Sequence, residues 1–291
     1  MQKNKNEEVS HNKVILIPTD FSEVCGNAIS HGVKLAQSMG CAVCILHAIN
    51  KETKAYLKKK NVGLDFIDKR LKKYKKYYEK KYSLTVDTLA VEGSIFEVIN
   101  QVAKDIKATL MILGTHGKKG LQHVFGSFAL RIVIDSPVPV IVVQKRHFRQ
   151  GYHNIVFPIS NELEPRQKVQ WTATISKLFT SKIHLFQAIE SDTVLNNRLN
   201  IITGQIMNVL DEKAVPYSLT LAQKPGDFAK QILSYSSRNC ADLIIIMTEP
   251  NYDVQGFSYS KWSEALMFND AQMPVMCINP FNLGTYYYEL S

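Results

Sequence analysis

Short unbroken apolar runs alternate along this chain with longer stretches in which apolar residues recur every third or fourth position. In the first half, Val14–Ile17, Cys41–Ile49, Leu84–Ala90, Thr109–Leu113 and Val138–Val143 predict strands. Between them, Ser22–Met39, about Leu64–Lys81, Ser94–Lys107 and Ser127–Asp135 predict helices. Ser94-Ile-Phe-Glu97 has the form of a capping box, with Phe96, Ile99, Val102, Ala103 and Ile106 following on one stripe. The second half repeats the alternation, with strands near Ile155–Pro158, Ile183–Ala188, Tyr217–Ala222, Leu243–Met247 and Pro274–Ile278. Uninterrupted Val/Ile/Leu runs alternating with helices predict a parallel sheet covered on both faces.

The two halves match each other in order. Val14-Ile-Leu-Ile-Pro18 corresponds to Asn154-Ile-Val-Phe-Pro158, and Ala48 to Ala188, both at an offset of 140. Val138-Pro-Val-Ile-Val-Val143 corresponds to Met273-Pro-Val-Met-Cys-Ile278, at an offset of 135 between Pro139 and Pro274. Ordered matches that drift by a few residues indicate duplication followed by loop trimming. The expected organisation is a disordered arm over 1–12, a first domain over 13–147, a degenerate second copy over 152–280, and a tail over 281–291.

Composition refines this picture at a few points. The 291 residues suffice for two ordinary domains, and 45% hydrophobic with 21% charged residues is a globular balance. No run is long enough to span a membrane, and Met1 to Lys13 lacks a signal-peptide core, so a cytoplasmic protein is expected. Residues Lys51 to Tyr82 hold 13 Lys and Arg against 4 Asp and Glu, which accounts for the whole net charge of +9. Such confinement argues against a general nucleic-acid-binding surface. Cys41 and Cys44 sit three apart on one strand and point to opposite faces, so buried free thiols are expected rather than a metal pair.

The candidate chemistry lies at two strand ends of the first half. One strand ends in Pro18-Thr19-Asp20, the other in Gly114-Thr-His116-Gly117-Lys-Lys-Gly120, and Gly126-Ser127 opens the next helix. Glycines let backbone approach a polyphosphate, and a helix start offers free amides and the positive end of its dipole to an anion. Pro18-Thr-Asp-Phe-Ser22, Gly114-x-His116-Gly117, Gly126-Ser127 and Pro137-Val-Pro-Val-Ile-Val-Val143 resemble the universal stress proteins, and the tandem layout resembles their two-domain members.

That resemblance implies two tandem, doubly wound, five-stranded parallel sheets of strand order 3-2-1-4-5, adenine nucleotide alpha hydrolase-like and pseudo-twofold related. It also implies ATP or another adenine nucleotide, with or without Mg2+. Pro18, Thr19 and Asp20 would lie by the adenosine end and Ala48 by the base. Gly114, His116 and Gly117 would follow the phosphates, and Gly126, Ser127 and Phe128 would close the site. The spacer Lys118–Phe125 is one residue shorter than the family's, so the loop must close more tightly or the helix must start earlier.

In the second half, Met247 stands opposite Gly114, Pro250 opposite Gly117, Lys261-Trp262 near Gly126-Ser127, and Ser160 or Asn161 near Asp20. There side chains would fill the space that phosphates need, so that copy is expected to be structural or differently liganded. No Walker-type phosphate loop occurs, and no acid in the local sequence is placed to orient His116 towards Ser127. The expected function is a stress-response protein acting through nucleotide occupancy and partner contacts. The alternatives are a non-nucleotide-binding scaffold and a very slow ATP hydrolase. The basic stretch carries Ile67, Leu71, Tyr74 and Tyr78 on one stripe. It is expected to be a solvated helix, with docking to nucleic acid or anionic lipid as the sharper alternative. Further expectations are intramolecular pairing of Val138–Val143 with Pro274–Ile278, possible assembly of copies of the chain, no membrane partner and no tight nucleic-acid partner.

Overall fold

The computed structural model describes residues 13–116, 124–161, 166–248, 250–253, 256–259 and 261–280. The expected arm and tail, 1–12 and 281–291, lie outside them, as does Gly117.

The first half runs β1 (Val14–Pro18), α1 (Glu23–Met39), β2 (Ala42–Ile49), α2 (Lys51–Lys60), α3 (Asp65–Tyr82), β3 (Val86–Glu92), α4 (Ile95–Asp105), β4 (Leu110–Gly114), α5 (Val124–Ile134) and β5 (Val140–Val143). The second runs β6 (Asn154–Ile159), α6 (Arg166–Phe179), β7 (Lys182–Gln187), α7 (Thr193–Glu212), β8 (Tyr217–Leu221), α8 (Phe228–Arg238), β9 (Leu243–Met247), a hairpin of β10 (Pro250–Asp253) and β11 (Gly256–Tyr259), α9 (Lys261–Met267) and β12 (Val275–Ile278).

The strands form one ten-stranded sheet, β3-β2-β1-β4-β5-β12-β9-β6-β7-β8. Each half therefore has the order 3-2-1-4-5, parallel within itself. The two five-stranded halves run into one another where β12 pairs antiparallel with β5, with Val275 opposite Val142 and Cys277 opposite Val140. Alternate residues of the strands fall into two apolar layers. Ile15, Ile17, Val43, Ile45, Leu110 and Ile112 pack on one side, and Leu16, Cys44, Leu46, Met111 and Leu113 on the other. Cys41 belongs to the first layer and Cys44 to the second, and both are free and buried.

Amide side chains cross the junction reciprocally. Gln144, just after β5, donates to the carbonyls of Met267 (3.5 Å) and Asn269 (3.1 Å) at the end of α9. Asn279, just after β12, donates to the carbonyls of Val133 (2.7 Å), Ile134 (3.0 Å) and Ser136 (3.0 Å) at the end of α5. Each half thus satisfies helix-terminal carbonyls of the other, groups that are otherwise orphaned. His31 on α1 adds a contact with the connecting segment, hydrogen-bonding the Arg146 carbonyl at 2.9 Å and the Tyr152 hydroxyl at 3.2 Å.

Two local expectations are corrected, and two elements appear that the sequence pattern did not show. Ser94 occupies the N-cap of α4 with extended backbone, but its side chain makes no cap hydrogen bond, so the capping box is not formed. The helix expected from Ser127 begins at Val124, which places Gly126 and Ser127 inside its first turn. The basic stretch holds a second helix, α2, capped by the Asn50 side chain, which accepts from the Thr53 amide at 2.9 Å. Finally, a β10–β11 hairpin begins at Pro250, the residue that corresponds in sequence to Gly117.

Candidate functional site

The strand order reverses between β1 and β4, which lie side by side with Ile15 opposite Leu110. Chains leaving these two strands turn to opposite sides of the sheet, and a crevice opens at their carboxyl ends. Here it is a cleft of about 1250 Å³, lined among others by Pro18, Thr19, Asp20, Ala48, Gly114, His116 and Phe128. The fold thus brings seven of the ten sequence-named residues to one cavity. Gly117 lies outside the described residues, and Gly126 and Ser127 occupy the first turn of α5. Further along that helix Phe128, Ala129 and Ile132 line the cleft.

The β1 end is held by a chain of local hydrogen bonds. The Thr19 amide donates to the Leu46 carbonyl at 2.8 Å, keeping the segment beside β2. The Thr19 hydroxyl accepts from the Phe21 amide at 3.0 Å. Phe21 adopts φ 65°, a left-handed conformation that is unfavourable for an aromatic residue and that clusters at functional sites. Asp20 Oδ1 accepts from the Ser22 amide at 2.7 Å, and Ser22 caps α1. Burial pushes the Asp20 carboxyl up, but hydrogen bonds from Ser22 and Cys25 and the nearby His116 charge outweigh it, leaving the value below the ordinary one. Asp20 is therefore an ionised acceptor in the cleft. The sequence offers no acid beside His116; the fold supplies Asp20 from the neighbouring strand end.

Sequence reasoning missed another wall of the cleft. The His47 ring stacks on Phe21, with centroids 4.6 Å apart and an interplanar angle of 28°. His47 Nδ1–H donates to the Thr19 carbonyl at 2.7 Å, and Nε2 meets the Thr53 hydroxyl at 3.1 Å. Burial lowers its pKa, against the Thr19 bond and the Asp20 charge, so the imidazole is held neutral. The Arg70 guanidinium lies 4.3 Å from the Phe21 ring centroid, a cation–π contact at the cleft edge. Phe96 and Phe128, with centroids 5.1 Å apart, form the apolar wall on another side.

Gly114 needs its missing side chain for a structural reason. A Cβ there would stand 3.0 Å from the Val24 carbonyl oxygen and 3.1 Å from Cys25 Cα, so the end of β4 packs directly on the backbone of α1. In the second half the corresponding Met247 is buried, and Thr248 after it donates to the Ile278 carbonyl at 3.1 Å. Asn161, next to Ser160 in the segment that corresponds to Asp20, donates to Glu190 at 3.3 Å.

Fold and cleft together define a doubly wound α/β protein with a crevice at its topological switch point. A model of the universal stress protein family matches residues 11–144. Universal stress protein MJ0531 of Methanocaldococcus jannaschii is 30% identical over 142 residues, covering 46% of this chain and 82% of the relative. Universal stress protein MJ0577 of the same organism is 25% identical over 159 residues, covering 46% of this chain and 96% of the relative. The chain belongs to the universal stress protein family. Across both halves its fold is shared with a universal stress protein of Archaeoglobus fulgidus, at a TM-score of 0.70 and 14% identity, covering 91% of this chain and 98% of that one. A functionally unknown protein of Pseudomonas aeruginosa gives a TM-score of 0.63 at 15% identity, covering 92% and 93%. No helix among the described residues is long and apolar enough to cross a membrane.

Proposed function

We propose that this protein binds one adenine nucleotide, ATP in the first instance, in the β1/β4 cleft, and acts in a stress response through that occupancy and the partner contacts it alters. The observation that carries this reading is the convergence of Asp20, Ala48, Gly114, His116 and Phe128 on one cavity at the strand-order reversal. The ionised Asp20 is suited to accept from ribose hydroxyls. Ala48, small and at the end of β2, leaves room for a base. The Gly126 amide belongs to the first turn of α5, whose N–H groups have no helical partner and favour an anion. Gly117 and Ser127 take part in the same phosphate contacts on this reading. Among the described residues no group of three His, Cys, Asp or Glu could hold a metal, so Mg2+ would arrive on the nucleotide's phosphates. Residues 13–147 are the binding unit; 152–280 are a degenerate copy that takes the place of a second subunit. Free cysteines fit the reducing cytoplasm.

The test is mass spectrometry of small molecules released on denaturation, followed by calorimetry with ATP. The expected results are adenine nucleotide in the supernatant, a stoichiometry near one, and affinity lowered on the order of tenfold in Asp20→Ala, the loss of a charge-assisted hydrogen bond. No released nucleotide and no heat with ATP, ADP or AMP would replace this reading with that of a scaffold.

A further inference from the structure

The basic stretch folds into α2 and α3, which meet at a turn over Asn61, Val62, Gly63 and Leu64. Only Leu57 of α2 and only Ile67 and Leu71 of α3 are buried, so the pair lies on the surface with most of its side chains in solvent. Some of its cations are paired: Lys54 with Glu92, Lys69 with Asp65, and Lys75 with Glu79 and Asp87. Lys58, Lys59 and Lys60, in succession at the end of α2, are exposed and have no carboxylate within ion-pair distance among the described residues. Of the acids across the turn, Asp65 is engaged by Lys69, and Asp68 stands exposed on the same helical turn.

The fold adds a feature that the lysine count does not contain. Apolar side chains stand exposed at this tip: Val62 at 38% and Leu64 at 50%. The turn that presents them is built. Asn61 is left-handed at φ 52°, the Val62 amide donates to the Leu57 carbonyl at 3.1 Å, and the Phe66 amide donates to the Gly63 carbonyl at 3.1 Å. A fixed apolar tip beside three consecutive free lysines matches a surface that is anionic outside and hydrocarbon within. Nucleic acid offers the charge, but it would receive Val62 and Leu64 only at the cost of unstacking its bases.

We infer that the α2–α3 turn docks peripherally on an anionic lipid bilayer. Val62 and Leu64 enter the boundary between headgroups and acyl chains, while Lys58, Lys59 and Lys60 meet the headgroup charges. This revises the expectation of no membrane partner, and it stands independently of what the cleft binds.

The test is co-sedimentation of the full chain with phosphatidylcholine vesicles, with and without phosphatidylglycerol. Binding is expected only where phosphatidylglycerol is present, and it should weaken as salt rises. Val62→Ser with Leu64→Ser, which leaves the charge unchanged, should lower the partition coefficient by about tenfold or more. Lys58→Gln, Lys59→Gln and Lys60→Gln should cost about fivefold each. All of these positions are exposed, and unchanged thermal melting would show that the variants fold. Absence of binding to anionic vesicles would overturn the inference, as would binding insensitive to the two serine substitutions. A salt-dependent complex with RNA or DNA, tighter than that with vesicles and indifferent to those serines, would assign the surface to nucleic acid instead.

Discussion

Val275 of β12 lies directly opposite Val142 of β5 in the antiparallel pair that makes one sheet of two halves. Both are essentially inaccessible to solvent. Val142→Lys therefore places an ammonium without a partner inside the seam, at a cost of several kcal/mol. Its denaturation midpoint should fall well below that of the parent chain. A fragment of residues 1–147 exposes the β5 edge and should dimerise or aggregate in analytical ultracentrifugation. A monodisperse monomer at high concentration would mean that the edge needs no partner.

Gly114→Ala should destabilise the protein with no ligand present. The added methyl meets backbone atoms of Val24 and Cys25, which cannot rotate away as a side chain would. A loss of about 1–3 kcal/mol in urea unfolding is expected. Weakened nucleotide binding in this variant would therefore not by itself report a phosphate contact.

Stability should fall as the solution is acidified below neutrality, with His31 as one source. Burial is the main force that drives its pKa from 6.5 to about 4. The folded value lies below the unfolded one, so the unfolded chain takes up a proton that the folded chain refuses. The contribution is complete above about pH 6.5 and is lost as pH falls towards 4, at up to about 1.4 kcal/mol per pH unit. Replacing His31 by Gln, a side chain that does not titrate, should flatten this part of the stability–pH curve. An unchanged slope would mean that other groups dominate it.

Hydrolysis of bound ATP should be negligible. Asp20 approaches His116 closely enough to feel its charge, but it is already committed to the Ser22 amide. His47 is tied to Thr19 and Thr53. Neither group is arranged to orient a water at a γ-phosphate. Steady turnover above about one per minute, far below ordinary enzyme rates, and lost in His116→Ala or Ser127→Ala, would contradict this.

The sequence displayed what has a period and concealed what depends on distance along the chain. Apolar runs located β1, β2, β4 and β5 to within a residue or two, because a strand buried on both faces is written as an unbroken run. α2 went unseen because Lys51–Lys60 buries one side chain and so has no stripe; its signals were the caps, Asn50 and Asn61. The start of α5 was misplaced because Gly126-Ser127 looks like a helix opening, whereas the apolar pair Val124-Phe125 already belongs to the first turn. Gly114 and Asp20 were legible as residues at adjacent strand ends. The column of His47, Phe21 and Arg70 was not, since its members come from three separate segments and meet only after β1, β2 and α3 assemble.

The grip of Asn279 on the last carbonyls of α5 gives the second half a use that requires no ligand of its own. α5 has 11 residues, so its ends stand about 16 Å apart, one by the cleft and the other clasped by the opposite half. Such a rod is a lever with a held end: a displacement at its first turn must either break those three amide contacts or carry Asn279 with it. If the cleft binds a nucleotide as proposed, the second half is thereby mechanically tied to its filling.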